Sequence, residues 1–338
     1  MATIKDVAQR ANVSPSTVSA VLTGRVAVKE KTKKRVEAAI KELEYTRNFA
    51  ARSLRTKSSK LLALVVSDIS NRHFATLAKT VSSIGRQRGY TTLIADTGGD
   101  PSREAAVTTS MLEQQVDGLL LEASQASEHH RHWLEENISN LPCILVENGL
   151  PNTRLATMQL NNYAMGKKAV QHLYDHGHRK IGVLWGDLPF SSAQDRKQGC
   201  LDQLDKLGLK NCKEWVVDAR FCAKTARERT HAFLSKENRP TALIALNDAM
   251  TVGALGAVNA LDLKIPEDLS FLGFDSFELA DHMTPALSLF EHDEAITALA
   301  TEATKCLIGS IEGKNKMGPQ SSMIFESKFV QRASVRHV

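Results

Sequence analysis

The chain has 338 residues, 42% of them apolar and 24% charged, which is more than one ordinary core organises and the balance of a folded globular protein rather than a disordered one. Its longest apolar run, LLALVV at 61–66, is far too short to cross a bilayer, and the start MATIKDVAQR has no signal-peptide stretch, so a cytoplasmic protein is expected. The five cysteines, Cys143, Cys200, Cys212, Cys222 and Cys306, form no CxxC pair and have no histidine at zinc-ligand spacing, which predicts reduced thiols and no bound metal or cofactor.

The net charge of +5 conceals an asymmetry. Residues 1–60 carry 14 Lys or Arg against 5 acids, a net of +9, and the remainder carries −4. A small basic module on a mildly acidic body points to a polyanion as the partner of the module alone.

Within that module, Thr3 with Asp6 forms a capping pattern, and Ile4, Val7, Ala8 and Ala11 recur at helical spacing, predicting a helix over about 4–11. Ser14 and Pro15 start a second helix that runs to about Leu22 and stops at Gly24. Two helices this short bury little, so Val36, Ala39, Ile40 and Leu43 on a third should close the core, giving a helix-turn-helix unit. The amino-terminal end of the second helix then faces the major groove, with Ser16, Thr17 and Ala20 on the DNA side and Val18, Val21 and Leu22 packing inward. Residues 48–56, NFAARSLRT, read as a short helix capped by Asn48, too short to be stable alone.

From Lys60 onward, LLALVVSD, TTLIAD, DGLLLEA and PCILVEN alternate with amphipathic stretches, with helices expected from about Ala75 and Arg103. The rhythm resumes after Asn161 with KIGVLWG, ALIALND and LSFLGFD. Such alternation predicts an α/β body of two similar parallel-sheet lobes. Ligands of open α/β sheets bind beyond the carboxyl ends of the strands, which nominates Asp68 to Phe74, Asn148, Asn161, Phe190 to Arg196 (Ser192 among them), Phe221, Asn247 with Asp248, and Asp275. A lone polar residue in such a place is more often a helix cap than a ligand, and Asp248 stands open between the two. Neither GxGxxG after the first run nor GxxxxGK[ST], GxSxG or HExxH occurs, which argues against an enzyme. A sugar-binding protein with an incidental basic module is the remaining alternative.

The segment ATIKDVAQRANVSPSTVSAVLTG, continued by VEAAIKELEYTRNFAARSLRTKSS, resembles the headpiece and hinge of the LacI/GalR family of bacterial repressors, and the likeness extends through GHRKIGVLWG, PTALIALNDAMTVGALGA and IPEDLSFLGFD. It implies a headpiece over 1–47, a hinge over 48–60, and an effector-binding, dimerising body over 61–338 like a type I periplasmic binding protein, with a first lobe of about 61–160 and 292–322 and a second of about 161–291 and 323–338. It further implies a homodimeric repressor on double-stranded operator DNA, controlled by a small-molecule effector (a sugar, sugar derivative or nucleoside) held between the lobes. The DNA-facing positions carried over are Thr3, Pro15, Ser16, Thr17, Ala20 and Tyr45, with Thr17 and Tyr45 at phosphates. Asn48, Ala51, Leu54 and Arg55 of the hinge fall in the minor groove, where Leu54 would wedge between base pairs. Arg196 and Asp275 stand at the polar anchors of the effector, and Phe74 and Phe221 are placed to stack on it. Arg47 replaces the usual proline, Asn161 replaces a common aspartate, and His73 replaces an aromatic. The chain ends at RASVRHV without leucine heptads, so a dimer rather than a tetramer is expected.

Overall fold

The computed structural model describes residues 2–23, 27–45, 58–124, 128–187, 189–276 and 279–338, which divide into two compact units, Met1–Ser59 and Lys60–Val338. In the first unit, α1 (Ile4–Arg10), α2 (Pro15–Thr23) and α3 (Glu30–Glu42) form a three-helix cluster. The Thr3 hydroxyl accepts from the Asp6 amide while the Asp6 carboxylate accepts from the Thr3 amide at 2.8 Å, so two otherwise orphaned donors are satisfied at the head of α1. At α2 the cap is Ser14, whose hydroxyl accepts from the Thr17 amide at 3.2 Å. Val7, Ala8, Ala11, Val18, Val36 and Ala39 are buried, with Val21, Leu22, Ile40 and Leu43 packed against them, the set that helical spacing nominates.

The second unit begins one residue earlier than the linker reading placed it. The Lys60 amide donates to Asp117 and its carbonyl accepts from Thr91, which ties Lys60 to the body. The first lobe holds β1 (Leu61–Val66), α4 (Arg72–Gln87), β2 (Thr91–Asp96), α5 (Pro101–Glu113), β3 (Gly118–Leu121), α6 (Glu128–Asn137), β4 (Cys143–Val146) and β5 (Ala156–Leu160). The second follows with α7 (Asn162–Asp175), β6 (Ile181–Trp185), α8 (Ser191–Lys206), β7 (Val216–Asp218), α9 (Ala223–Leu234), β8 (Ala242–Ala245), α10 (Asp248–Ala260), β9 (Ser270–Phe274) and β10 (Ser288–Glu291). The chain then returns to the first lobe for α11 (Asp293–Ile311) and β11 (Met323–Phe325), and ends in the second with β12 (Lys328–Val330).

Each lobe is a six-stranded sheet, ordered β11-β5-β4-β3-β1-β2 and β12-β10-β9-β8-β6-β7. All pairings are parallel except β10 with β12. Central strands such as β1, β3 and β4 are buried on both faces, which is why they read as unbroken apolar runs. One boundary differs from the sequence reading: 323–325 belong to the first lobe, because Met323 pairs with Met158 and Phe325 with Leu160 alongside β5. The last crossing lies at 326–327, and three residues at a sheet edge carry too little pattern to announce it. Helices α4 and α5 also start earlier than expected, at Arg72 and Pro101, because Asn71 and Asp100 cap them by accepting from the amides two residues on.

Helices α7 and α8 cross on glycine. A Cβ at Gly166 would lie 2.1 Å from the Arg196 carbonyl oxygen, and one at Gly199 would lie 2.1 Å from that of Tyr163. This approach sets α8, and with it Arg196, against the start of α7. Gly166→Ala should therefore destabilise the body by about 1–3 kcal/mol, read as a lower urea midpoint. Gly256→Ala on α10, where the nearest atom is an ordinary 3.5 Å away, should leave the midpoint level or raise it. Equal midpoints for the two variants would show that the α7–α8 crossing is not close-packed.

Candidate functional site

On the first unit, Pro15 and Ser16 are exposed at the head of α2, and Thr17 and Ala20 are half-buried beside them. The Ser14 hydroxyl bonds those of Ser16 and Thr17, at 2.7 and 2.9 Å, so both candidate DNA contacts share one small network. Thr3 is engaged with Asp6, and the half-buried Tyr45 packs against the three-helix core. Lys29, Lys31, Lys33, Lys34 and Arg35 are exposed. Asn48, Ala51, Leu54 and Arg55 lie outside the described residues.

In the second unit a cavity of about 300 Å³ opens between the lobes. The first lobe supplies His73 and Phe74 from the start of α4, and the second supplies Phe190, Ser192 and Arg196 around α8, Phe221 after β7, Asn247 and Asp248 at α10, and Asp275 after β9. These are the strand ends and following helix starts that the alternation nominates.

Asp275 is the electrostatic centre. Its Oδ1 lies 3.0 Å from His292 Nε2 and 3.5 Å from Arg196 Nη1, and its Oδ2 accepts from the Asp248 amide at 3.2 Å. Burial opposes its charge, but the His292 hydrogen bond and the Arg196 guanidinium hold the carboxyl well below the usual range. Burial, and then the Asp275 charge, push Asp248 up. Arg196 also donates from Nε and Nη2 to Asn162 Oδ1, at 3.0 and 2.8 Å, and from Nη1 to the Leu246 carbonyl, with its guanidinium carbon 5.0 Å from the centre of the Phe274 ring.

On the opposite wall, His73 Nε2 lies 3.1 Å from Glu147 Oε2. Burial pulls the imidazole down, but the Glu147 charge and hydrogen bond outweigh it and raise it above the ordinary range. Glu122 accepts from the Ser67 amide at 2.7 Å and from Asn148 Nδ2 at 2.9 Å, yet burial, joined by the Glu147 charge, pushes it up to about 7.

Two nominated residues do other work. Asn148 is buried behind the cleft, where its Oδ1 accepts from the Ser192 amide at 2.9 Å and so caps α8 from the other lobe. Asn161 stands at the first crossing between lobes, capping α7 through Ala164 and donating to Glu326 at 2.7 Å. A carboxylate there would face that of Glu326, which gives the asparagine a reason. The second crossing residue, His292, bonds Ser327 of the third at 2.9 Å. The third crossing is thus tied to each of the other two, and His292 carries the tie to Asp275.

Glu122, Glu147 and His292 are the residues the sequence reading missed. Glu122 and Glu147 directly follow the runs DGLLL and PCILV, so the strand-end rule reaches them as readily as it reaches Asn148. His292 follows β10, a strand too short to stand out. Glu147, Phe221 and Asp275 have φ of 66°, 50° and 69°, left-handed values that a fold retains only where surroundings dictate them. Gly186 makes room for one of them, since a Cβ there would lie 1.8 Å from the Phe221 ring.

Glu122 gives a pH signature. Its folded value is raised, so its contribution to stability is full below the ordinary carboxylate range and is lost as pH rises through about 7. Between pH 5 and pH 8 the wild-type body should lose roughly 2–3 kcal/mol relative to Glu122→Gln, measured by urea denaturation at each pH. Parallel pH profiles would place the ionisation elsewhere.

Residues 3–48 match the family model of bacterial regulatory proteins, lacI family, and residues 170–335 match that of the periplasmic binding protein-like domain. The chain is 31% identical over 336 residues to the HTH-type transcriptional repressor PurR of Klebsiella pneumoniae (strain 342), covering 99% of this chain and 97% of that one. Among solved structures, the lac repressor dimer bound to operator and the anti-inducer ONPF superposes with a TM-score of 0.84 at 24% identity over 99% of both chains. The complex of the transcriptional regulator CelR with cellobiose superposes at 0.73, also with 24% identity, over 99% of this chain and 100% of that one. With a helix-turn-helix unit, a two-lobed receptor and full-length likeness to a curated repressor, the chain belongs to the LacI family of bacterial regulatory proteins and is a DNA-binding transcriptional regulator.

Proposed function

We propose that the chain is a homodimeric cytoplasmic repressor, not an enzyme, whose affinity for operator DNA is set by a hydroxylated small molecule held between its lobes. The observation that carries this reading is the cleft itself: about 300 Å³, walled by the rings of Phe74, Phe190 and Phe221 and by hydrogen-bonding groups fixed by second partners. Aromatic faces cover the apolar side of a ring, while oriented carboxylates and amides take its hydroxyls. Operator DNA and cellobiose in the two structural neighbours support the same division of labour, since each was seen bound to a protein of this fold. Among the described residues no helix is long and apolar enough to cross a membrane, and no group of three His, Cys, Asp or Glu is arranged to hold a metal ion.

Binding that favours one angle between the lobes changes DNA affinity only through a difference in effector affinity between two states. In a dimer that angle sets the separation of the two segments leading to the headpieces. Exposure of Pro15 and Ser16 at the head of α2 fits reading of the major groove, with the bases of α3 adding contacts to phosphate.

Two experiments test the reading. An operator is first selected from random duplexes with the full-length protein, and small molecules are then screened for a change in operator affinity. Arg196→Ala and Asp275→Ala should each weaken the response to a hit at least tenfold; an unchanged response would remove the cleft from the assignment. Ser16→Ala should cost about 1–3 kcal/mol on the selected operator and far less on random duplex. Equal losses on both would mean that Ser16 only holds the backbone.

A further inference from the structure

The cleft has a marked excess of negative charge. Five carboxylates line it (Asp68, Glu122, Glu147, Asp248 and Asp275), against Arg196 and His73. Pairing removes part of the excess: Asp275 is matched by Arg196, and Glu147 by His73. Even with Glu122 half-protonated near neutral pH, Asp68 and Asp248 remain without a lining base. The Glu147 side chain is only 5% exposed, yet its Oε1 has no hydrogen-bond partner among the described residues. A buried carboxylate oxygen in that state calls for a donor.

The features that would welcome an anion are occupied. Arg196 spends Nε, Nη1 and Nη2 on Asn162, Leu246 and Asp275. Three helices begin at the cleft, and each has first-turn amides already covered by the protein: His73 N by Asn71, Ser192 N by Asn148, and Met250 N by Asn247. Beyond the last of these, Asp248 N is covered by Asp275 and Ala249 N by Asp248. At the head of α10 a phosphate or carboxylate would therefore meet the Asp248 and Asp275 carboxylates where such ligands ordinarily find helix amides, and at α4 and α8 an asparagine oxygen already takes one first-turn amide. Aromatic rings beside acidic groups are in contrast the usual surroundings of an organic cation, whose charge is attracted by the ring faces and neutralised by the carboxylates.

Resting on the reading of this cleft as the effector site, we propose that the effector carries a protonated amine on its hydroxylated frame, as an amino sugar does, and that the amine lies between Glu147 on one wall of the cleft and Asp248 on the other. The hydroxyls fall to the remaining polar groups and the frame to the phenylalanine rings. Sugar phosphates and sugar acids are excluded by the same charges.

The test uses the full-length protein and matched hexose series in the gluco, galacto and manno configurations: the 2-amino sugar, its N-acetyl derivative, the parent sugar and the 6-phosphate. Binding is read by calorimetry and by the change in operator affinity. In at least one configuration the amino sugar should bind ten times or more tighter than the other three members. Glu147→Gln and Asp248→Asn should each reduce that ratio at least threefold, and Asp248→Asn, which is partly exposed, covers the case in which the Glu147 variant does not fold. If a parent sugar, an N-acetyl sugar or a phosphate binds as tightly as its amine, or if the ratio survives both substitutions, the amine assignment is overturned while the cleft remains the effector site. If no member binds at up to millimolar concentration, the amino-sugar assignment falls. If in addition the broader screen finds no compound that changes operator affinity, the effector reading of the cleft falls with it.

Discussion

The receptor depends on keeping the Asp275 carboxylate charged in a place that water scarcely reaches. An uncompensated carboxylate buried to this degree costs several kcal/mol, and breaking a buried pair from one side is correspondingly expensive. The surroundings consequently converge on it: Arg196 from α8, the Asp248 amide from the head of α10, and His292 from the second crossing between the lobes. Each contact fixes a different element. Loss of any one would leave the other partners arranged around an underpaired charge, so the site and the frame that carries it form a single electrostatic object. The left-handed backbone at Asp275 belongs to the same compromise, local strain accepted so that the carboxylate turns toward its partners.

The opposite wall is built differently, and the difference bears on movement. Glu122 holds Asn148, and Asn148 holds the first turn of α8 in the other lobe; beside it the Gly149 amide donates to the Ser191 hydroxyl at 3.0 Å. The bonds joining Asn148 to Ser192 and Gly149 to Ser191 are neutral hydrogen bonds spanning the lobes, each worth about 1 kcal/mol net, against the much larger cost of separating Asp275 from its partners. Opening of the cleft should therefore part the Asn148 bridge and leave the Asp275 cluster intact. Asp275 and Arg196 both belong to the second lobe, whereas Asn148 and Ser192 stand on different lobes. Glu122 touches both the cavity and the bridge, so a ligand that alters its charge alters the hold of one lobe on the other.

Architecture was legible because its causes are repeated along the chain: buried parallel strands must be apolar throughout, and helices must follow them, so the pattern recurs until it cannot be misread. LLALVV and ALIALND announce themselves in this way. The cleft was legible to the extent that it follows from strand ends, which brought Phe74, Arg196, Phe221, Asp248 and Asp275 together from widely separated positions. What stayed hidden depends on pairing rather than pattern. Met323–Phe325 joins the first sheet by register with β5, which no property of MIF reveals. Asn161 looked like a ligand because it follows a strand, but the partner that decides its role, Glu326, lies 165 residues away. Glu147 carries no signal of its own, because a carboxylate after a strand is commonplace until His73 is found beside it.

The headpiece poses the converse problem, a unit whose fold is easily read and whose specificity is not. Among the described residues its fully buried core is Val7, Ala8, Ala11, Val18, Val36 and Ala39, with no side chain larger than valine, so the half-buried Ile4, Leu22, Ile40 and Leu43 around it and the helix caps at Thr3 and Ser14 all contribute to its order. The Ser14 cap also arranges the exposed head of α2, since its hydroxyl is the one to which Ser16 and Thr17 are bonded. With Pro15 lacking a donor and Ala20 lacking a polar group, direct readout from this helix is sparse. A helix head with so few donors leaves sequence preference to draw on the shape and deformability of the duplex as well as on base edges.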